Sequence, residues 1–161
     1  MQGCHFHCYN CFNSETWDFD GGKEWTQETK DMFLMLIDRP YIKRISILGG
    51  EPLENENIED VLDLVTLVKK KHPDKMIWLY SGGTWESLMN INPYETQQNK
   101  MCEIRKNIIS QCDVFVDGKY IDSKRSHSLK WRGSSNQRII DVQKTLNNQK
   151  NNNGGVVLYC E

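Results

Sequence analysis

Cys4, Cys8 and Cys11 stand at the spacing C-x3-C-x2-C within the first eleven residues. Three thiolates this close can hold three corners of a cubane [4Fe–4S] cluster and leave its fourth iron without a protein ligand. An iron with an open position binds and activates a second molecule, so the spacing points to chemistry rather than to a structural staple. The competing metal is zinc, for which His5 or His7 would have to complete a tetrahedral site. Both histidines lie inside the first inter-cysteine loop, tighter than ordinary finger spacing, and no second Cys or His pair follows at a usual finger distance. The spacing therefore favours the cluster, with a non-catalytic zinc-binding or truncated module as the alternative. Disulfides are disfavoured because no signal peptide is in view. Cys102, Cys112 and Cys160 are scattered and read as small hydrophobes or idle thiols.

The chain's 161 residues suit a single domain spanning 1–161. A net charge of −2 and a pI near 6.1 give no electrostatic case for a nucleic-acid or membrane partner. No apolar run approaches the roughly 20 residues that span a bilayer. Together with the thiolate site, these features predict a reduced, cytoplasmic setting.

The elements that must position the cysteines follow from periodicity. Thr26 caps a helix over Gln27 to Asp38 that is expected to bury Met32, Phe33, Leu36 and Ile37, and Arg39-Pro40 ends it. Ile45 to Leu48 is a short apolar strand closed by Gly49-Gly50. Ile58, Val61, Leu62, Val65 and Val68 recur at helical spacing before Pro73. Met76 to Tyr80 is the next strand, punctuated by Gly82-Gly83. A helix from about Lys100 to Ser110 leads into Val114 to Val116, which ends at Asp117-Gly118. Beyond it, 147–155 reads as a flexible Asn-rich loop before a last short strand, Val156 to Tyr159.

Strands alternating with helices predict an α/β fold with a mostly parallel sheet, an incomplete (β/α) barrel or curled open sheet. In such a fold the loops after the strands share one face. Gly49-Gly50-Glu51, Ser81-Gly82-Gly83 and Asp117-Gly118-Lys119 are therefore expected to line one pocket with the cysteine loop, 3–13.

These residues resemble the radical S-adenosylmethionine superfamily. The cysteine loop carries the resemblance, together with Leu48-Gly49-Gly50-Glu51-Pro52-Leu53, Ile77 to Gly82 and Asp113 to Tyr120. Glu15-Thr16-Trp17-Asp18 and Trp131-Arg132-Gly133-Ser134-Ser135-Asn136-Gln137-Arg138 narrow it to the subgroup that activates anaerobic (class III) ribonucleoside-triphosphate reductase. One departure is Asn10, where many superfamily members carry an aromatic residue. Another is the start, where Met1-Gln2-Gly3 looks like the tail of a strand. By comparison with the family the first strand is missing, Met1 reads as an internal methionine, and the cysteine loop is expected to be poorly anchored.

The resemblance implies that Cys4, Cys8 and Cys11 ligate a [4Fe–4S] cluster and that S-adenosylmethionine chelates its open iron. Reductive cleavage would give methionine and a 5′-deoxyadenosyl radical that abstracts hydrogen from a glycine of the reductase. It implies further that Gly49 and Gly50 bind the methionyl amine through their backbone, that Glu51 fixes their turn, and that Ser81, Asp117 and Lys119 lie by the cofactor. Trp17, Trp131 and Arg132 are candidates for docking the reductase, with core packing as the plain reading of both tryptophans. A flavodoxin- or ferredoxin-type donor would supply the electron. The runner-up is another small radical S-adenosylmethionine enzyme.

Overall fold

A computed structural model of the chain describes residues 1–89, 96–151 and 154–160, with backbone only at 96–99. Strands β1 (Arg44–Ile47), β2 (Met76–Tyr80), β3 (Val114–Asp117) and β4 (Arg138–Asp141) form one open sheet in the order β1-β2-β3-β4. The first three are parallel, as the alternating pattern predicts, and β4 pairs antiparallel to β3.

Side-chain alternation divides the sheet into two buried faces. Ile45, Ile47, Ile77, Leu79, Phe115 and Ile140 point to one face. There helix α2 (Ile58–Lys71) adds Ile58, Val61, Val65 and Val68, and helix α4 (Thr96–Gln111) adds Ile108 and Ile109. Trp78, Val114 and Val116 point to the other, against Tyr80, Ile139 and Tyr159. On that second face the Arg44 guanidinium lies 4.2 Å from the Trp78 ring centre and 4.4 Å from that of Trp131. The two rings meet edge to face at 63°, and the cation sits in the corner between them.

Helix α1 (Gln27–Ile37) starts at a reciprocal cap, in which Thr26 and Thr29 each accept the other's backbone amide. Its buried stripe differs from the expected one: Phe33, Leu34 and Ile37 face the core, whereas Met32 and Leu36 are exposed at 47% and 45%. Two overlapping stripes satisfy the same period. Tertiary contacts decide between them: Trp25 packs edge-on against Phe33 and donates to Asp63 of α2, which also binds Lys30.

Among the described residues, one strand and two α-helices are additions to the expected set. Helix α3 (Trp85–Met89) follows the second strand's turn, and β4 leads directly into helix α5 (Val142–Lys150). Asp141 caps α5 by accepting the Lys144 amide at 3.0 Å. Asn147 to Lys150 thus belong to a helix rather than to the expected loop, and 152–153 lie outside the described residues. The expected final strand is reduced to one bridge, Leu158 with Ile140, flanked by bonds from Asp141 to Val157 and Tyr159 to Ile139. Thr145 of the polar helix also binds the Val157 amide, so side-chain bonds replace part of a ladder.

Among the described residues no helix is long and apolar enough to cross a membrane.

Candidate functional site

The cysteine loop is built by two close backbone approaches. Gly3 and Cys4 donate their amides to Thr16 and Trp17 at 2.9 and 3.1 Å, closing residues 4–16 into a loop. Gly3 has φ +87°, and a Cβ there would lie 2.2 Å from the Phe19 ring. Only glycine admits that contact. His5 and His7 lean on Phe19 and Trp17, each with ring centres 4.6 Å apart. His7 and Asn10 are left-handed at φ 42° and 53°, which turns the chain between successive cysteines.

Met1 to Gly3 runs beside the end of β1 with strand-like bonds. The Met1 ammonium donates to Leu48, Gly50 donates to Met1, and Glu51 donates to Gly3. Asn57 bridges the Gln2 and Glu51 carbonyls, both at 2.9 Å. Instead of the poorly anchored loop expected from the sequence, this one is bonded at its base, through Met1 to Gly3, to the turn after β1.

All three thiols are free, Cys4 and Cys8 buried and Cys11 half-buried. They line one open cleft of about 150 Å³. Gly49, Gly50 and Glu51 after β1, Ser81 and Gly82 after β2, and Gly118 after β3 line it with them. Burial pushes the Cys4 and Cys8 thiols above their usual range, opposed at Cys4 by the Phe6 and His7 amides and at Cys8 by the Lys119 charge. A larger groove, about 950 Å³, lies along Gln2, Phe19, Trp25 and Asn57, whereas the thiols open into the smaller cleft.

The glycines of the β1 turn are required by the cysteine loop. A Cβ at Gly49 would sit 2.5 Å from the Met1 carbonyl oxygen, and one at Gly50 2.4 Å from that of Gly3. Glu51 is buried, accepting the Leu53 amide at 3.0 Å and the Gly82 amide at 2.7 Å. Burial pushes its carboxyl up, and these bonds oppose the shift. Ser81 is buried too and caps its own turn by accepting the Gly83 amide at 3.0 Å.

Asp117 and Lys119 diverge. The Asp117 carboxylate is 1% exposed and accepts the Trp85 amide at 2.8 Å and two bonds from Arg138, which also grips Glu86. It locks α3 and β4 to the end of β3. Lys119 extends over the Phe6 ring, 5.6 Å from its centre, and Phe6 packs where a Gly82 Cβ would be. Phe6 therefore joins the cysteine loop to both neighbouring turns, a role its place between two cysteines did not announce.

The Trp131–Arg138 block braces the same turn. Gln137 accepts the Gly133 and Ser134 amides and donates to the Gly118 carbonyl at 2.9 Å, while Arg132 donates to the Gln137 carbonyl. Trp131, left-handed at φ 63°, lies against Arg44 and stays 47% exposed, and half-buried Trp17 stacks on His7.

Neither histidine joins the thiols. His5 binds Glu54, with Glu56 close by, and His7 is stacked on Trp17. Three sulfur donors that line one open cleft but do not all lie within 4.8 Å of one another fit a cubane cluster with one unclaimed iron better than a closed zinc site.

A family described as 4Fe-4S single cluster domain matches residues 1–140. An anaerobic ribonucleoside-triphosphate reductase-activating protein of Vibrio cholerae is 37% identical over 141 residues, covering 86% of this chain and 83% of that protein. Proteins of the same description from Escherichia coli K12 and Enterobacteria phage T4 are 33% and 34% identical, over 83% and 79% of their lengths and 86% of this chain. No solved structure matches the chain.

Proposed function

From the premise that this chain belongs to the family of anaerobic ribonucleoside-triphosphate reductase-activating proteins, we propose that it is the activase that installs a glycyl radical on such a reductase. The observation that carries the reading is the single cleft shared by Cys4, Cys8, Cys11 and the turn at Gly49-Gly50-Glu51. When bound, a reduced [4Fe–4S] cluster supplies the electron that splits S-adenosylmethionine into methionine and the 5′-deoxyadenosyl radical, which takes hydrogen from the reductase's glycine.

The protein's part is binding, orientation and exclusion of water. Cys4, Cys8 and Cys11 hold the cluster. The Gly50 and Glu51 amides already serve Met1 and Gly3, so the β1 turn offers a ligand its carbonyl oxygens, the right polarity for a methionyl amine. Glu51 and Ser81 shape the two turns, with Glu51 acting through the Gly82 amide. Lys119 presents the positive charge suited to a methionyl carboxylate. Asp117 acts from behind, holding the turn that carries Lys119. The cleft is open, so a site dry enough for radical chemistry needs the reductase to close it.

The finer architecture we assign is the partial barrel of the radical S-adenosylmethionine type, working as one domain. The support is a sheet whose parallel strand ends share the cleft. A flavodoxin- or ferredoxin-type donor in the cytoplasm completes the assignment.

The test is oxygen-free incubation of the cluster-loaded protein with reductase, S-adenosylmethionine and reductant. A glycyl electron-spin signal on the reductase is expected, and it should vanish with Cys8→Ala. Methionine release with no such signal would reassign the chain to another radical S-adenosylmethionine reaction. A colourless, zinc-loaded protein would reject the cluster itself.

A further inference from the structure

Glu54 gives both carboxylate oxygens to one residue of the cysteine loop. Its Oε1 accepts the His5 amide at 2.9 Å, and its Oε2 lies 3.2 Å from the His5 Nδ1. The platform beneath it is hydrogen-bonded to two helices. The Glu54 carbonyl accepts the Asn57 and Ile58 amides at the start of α2. From α4, Arg105 donates to the Leu53 carbonyl at 2.8 Å and to the Asn55 side chain.

A carboxylate–imidazole contact with a histidine 65% exposed contributes little stability by itself. Its placement matters more. His5 directly follows Cys4 in the chain. Holding the His5 amide fixes the backbone immediately after that ligand. Groups beyond the ligands orient them and tune a metal centre, and hydrogen bonds and net charge set an iron–sulfur potential. Glu56 completes a trio of possible cation ligands with His5 and Glu54. Since both Glu54 oxygens already face His5, the arrangement is a clamp.

Resting on the activase reading above, we infer that Glu54 is a positioning residue for the iron–sulfur cluster: it fixes the loop behind Cys4 and places a negative charge there that lowers the cluster's reduction potential. Glu54→Gln keeps an acceptor for the His5 amide and removes the charge. Glu54→Ala removes both.

The experiment is anaerobic reconstitution of the full chain, followed by iron counting after desalting and a redox titration read by electron-spin resonance. Glu54→Gln should retain wild-type iron with its midpoint potential shifted upward. Glu54→Ala should show the upward shift with several-fold less iron retained. An unchanged potential in Glu54→Gln overturns the inference whatever happens to iron in Glu54→Ala. A wild-type chain that takes up no iron and sulfide overturns the cluster reading on which it stands, which separates the two failures.

Discussion

The Glu51 carboxylate accepts the Gly82 amide at 2.7 Å, tying the turn after β1 to the turn after β2. Glu51→Ala would leave the buried Leu53 amide and the half-buried Gly82 amide without their acceptor, at about 1–3 kcal/mol for a fully buried group. Urea unfolding should therefore show a loss of at least about 1 kcal/mol. S-adenosylmethionine binding to the cluster-loaded variant should weaken about tenfold or more, equivalent to about 1.4 kcal/mol. Glu51→Gln keeps one acceptor oxygen and should fall between the two. Wild-type stability in Glu51→Ala would contradict the brace.

Two glycines at strand ends should respond differently to alanine. At Gly50 the new methyl meets a backbone oxygen of the cysteine loop at 2.4 Å, so the loop must shift. Gly50→Ala should cost about 1–3 kcal/mol from overpacking and lose most of the iron on reconstitution. At Gly118 the nearest atom is 3.7 Å away, leaving only the strain of φ +99°. Gly118→Ala should cost about 1–2 kcal/mol while retaining iron. Equal iron content in the two variants would refute the close approach at Gly50.

Thiol labelling should rank the cysteines by burial. In the metal-free folded protein Cys160 is exposed and should react first with iodoacetamide, while Cys112 is fully buried and its thiol pushed up by desolvation. Cys112 should label only on unfolding. Cluster loading should then protect Cys4, Cys8 and Cys11 and leave Cys160 reactive. Mass spectrometry of labelled peptides reads this directly, and protection of only one or two of the three would break the proposed ligand set.

Acid should expose the Glu86–Arg138 pair. Two bonds from Arg138, at 3.0 and 2.7 Å, hold the Glu86 carboxyl below its ordinary value. The folded state therefore binds that proton less readily than the unfolded chain. The pair's contribution is present at neutral pH and lost as pH falls below about 4.5 through the lowered folded value. With Glu86 54% exposed, solvent screening limits the contribution to less than about 1 kcal/mol. Comparing urea midpoints at pH 7 and pH 3 should show wild type losing more stability than Glu86→Gln, and parallel losses would refute the link.

What the sequence determined by itself was local. The C-x3-C-x2-C spacing, Thr26 as a cap, β2 at Met76–Tyr80 and the Val61–Val65–Val68 stripe each depend on neighbours a few residues apart. Periodicity and cap chemistry record such relations directly. Tertiary structure decided the rest. Met32 and Leu36 face solvent because Trp25 and Asp63 set the roll of α1. β4 forms because the Phe115 and Val116 edge is there to pair with, and Arg138 bonds to Asp117 across 21 positions. The divergence of Asp117 from Lys119, and the use of Gly50 to admit the Gly3 backbone, arise between segments remote in sequence. A side chain's chemistry is written at its own position, but its partner is chosen by packing.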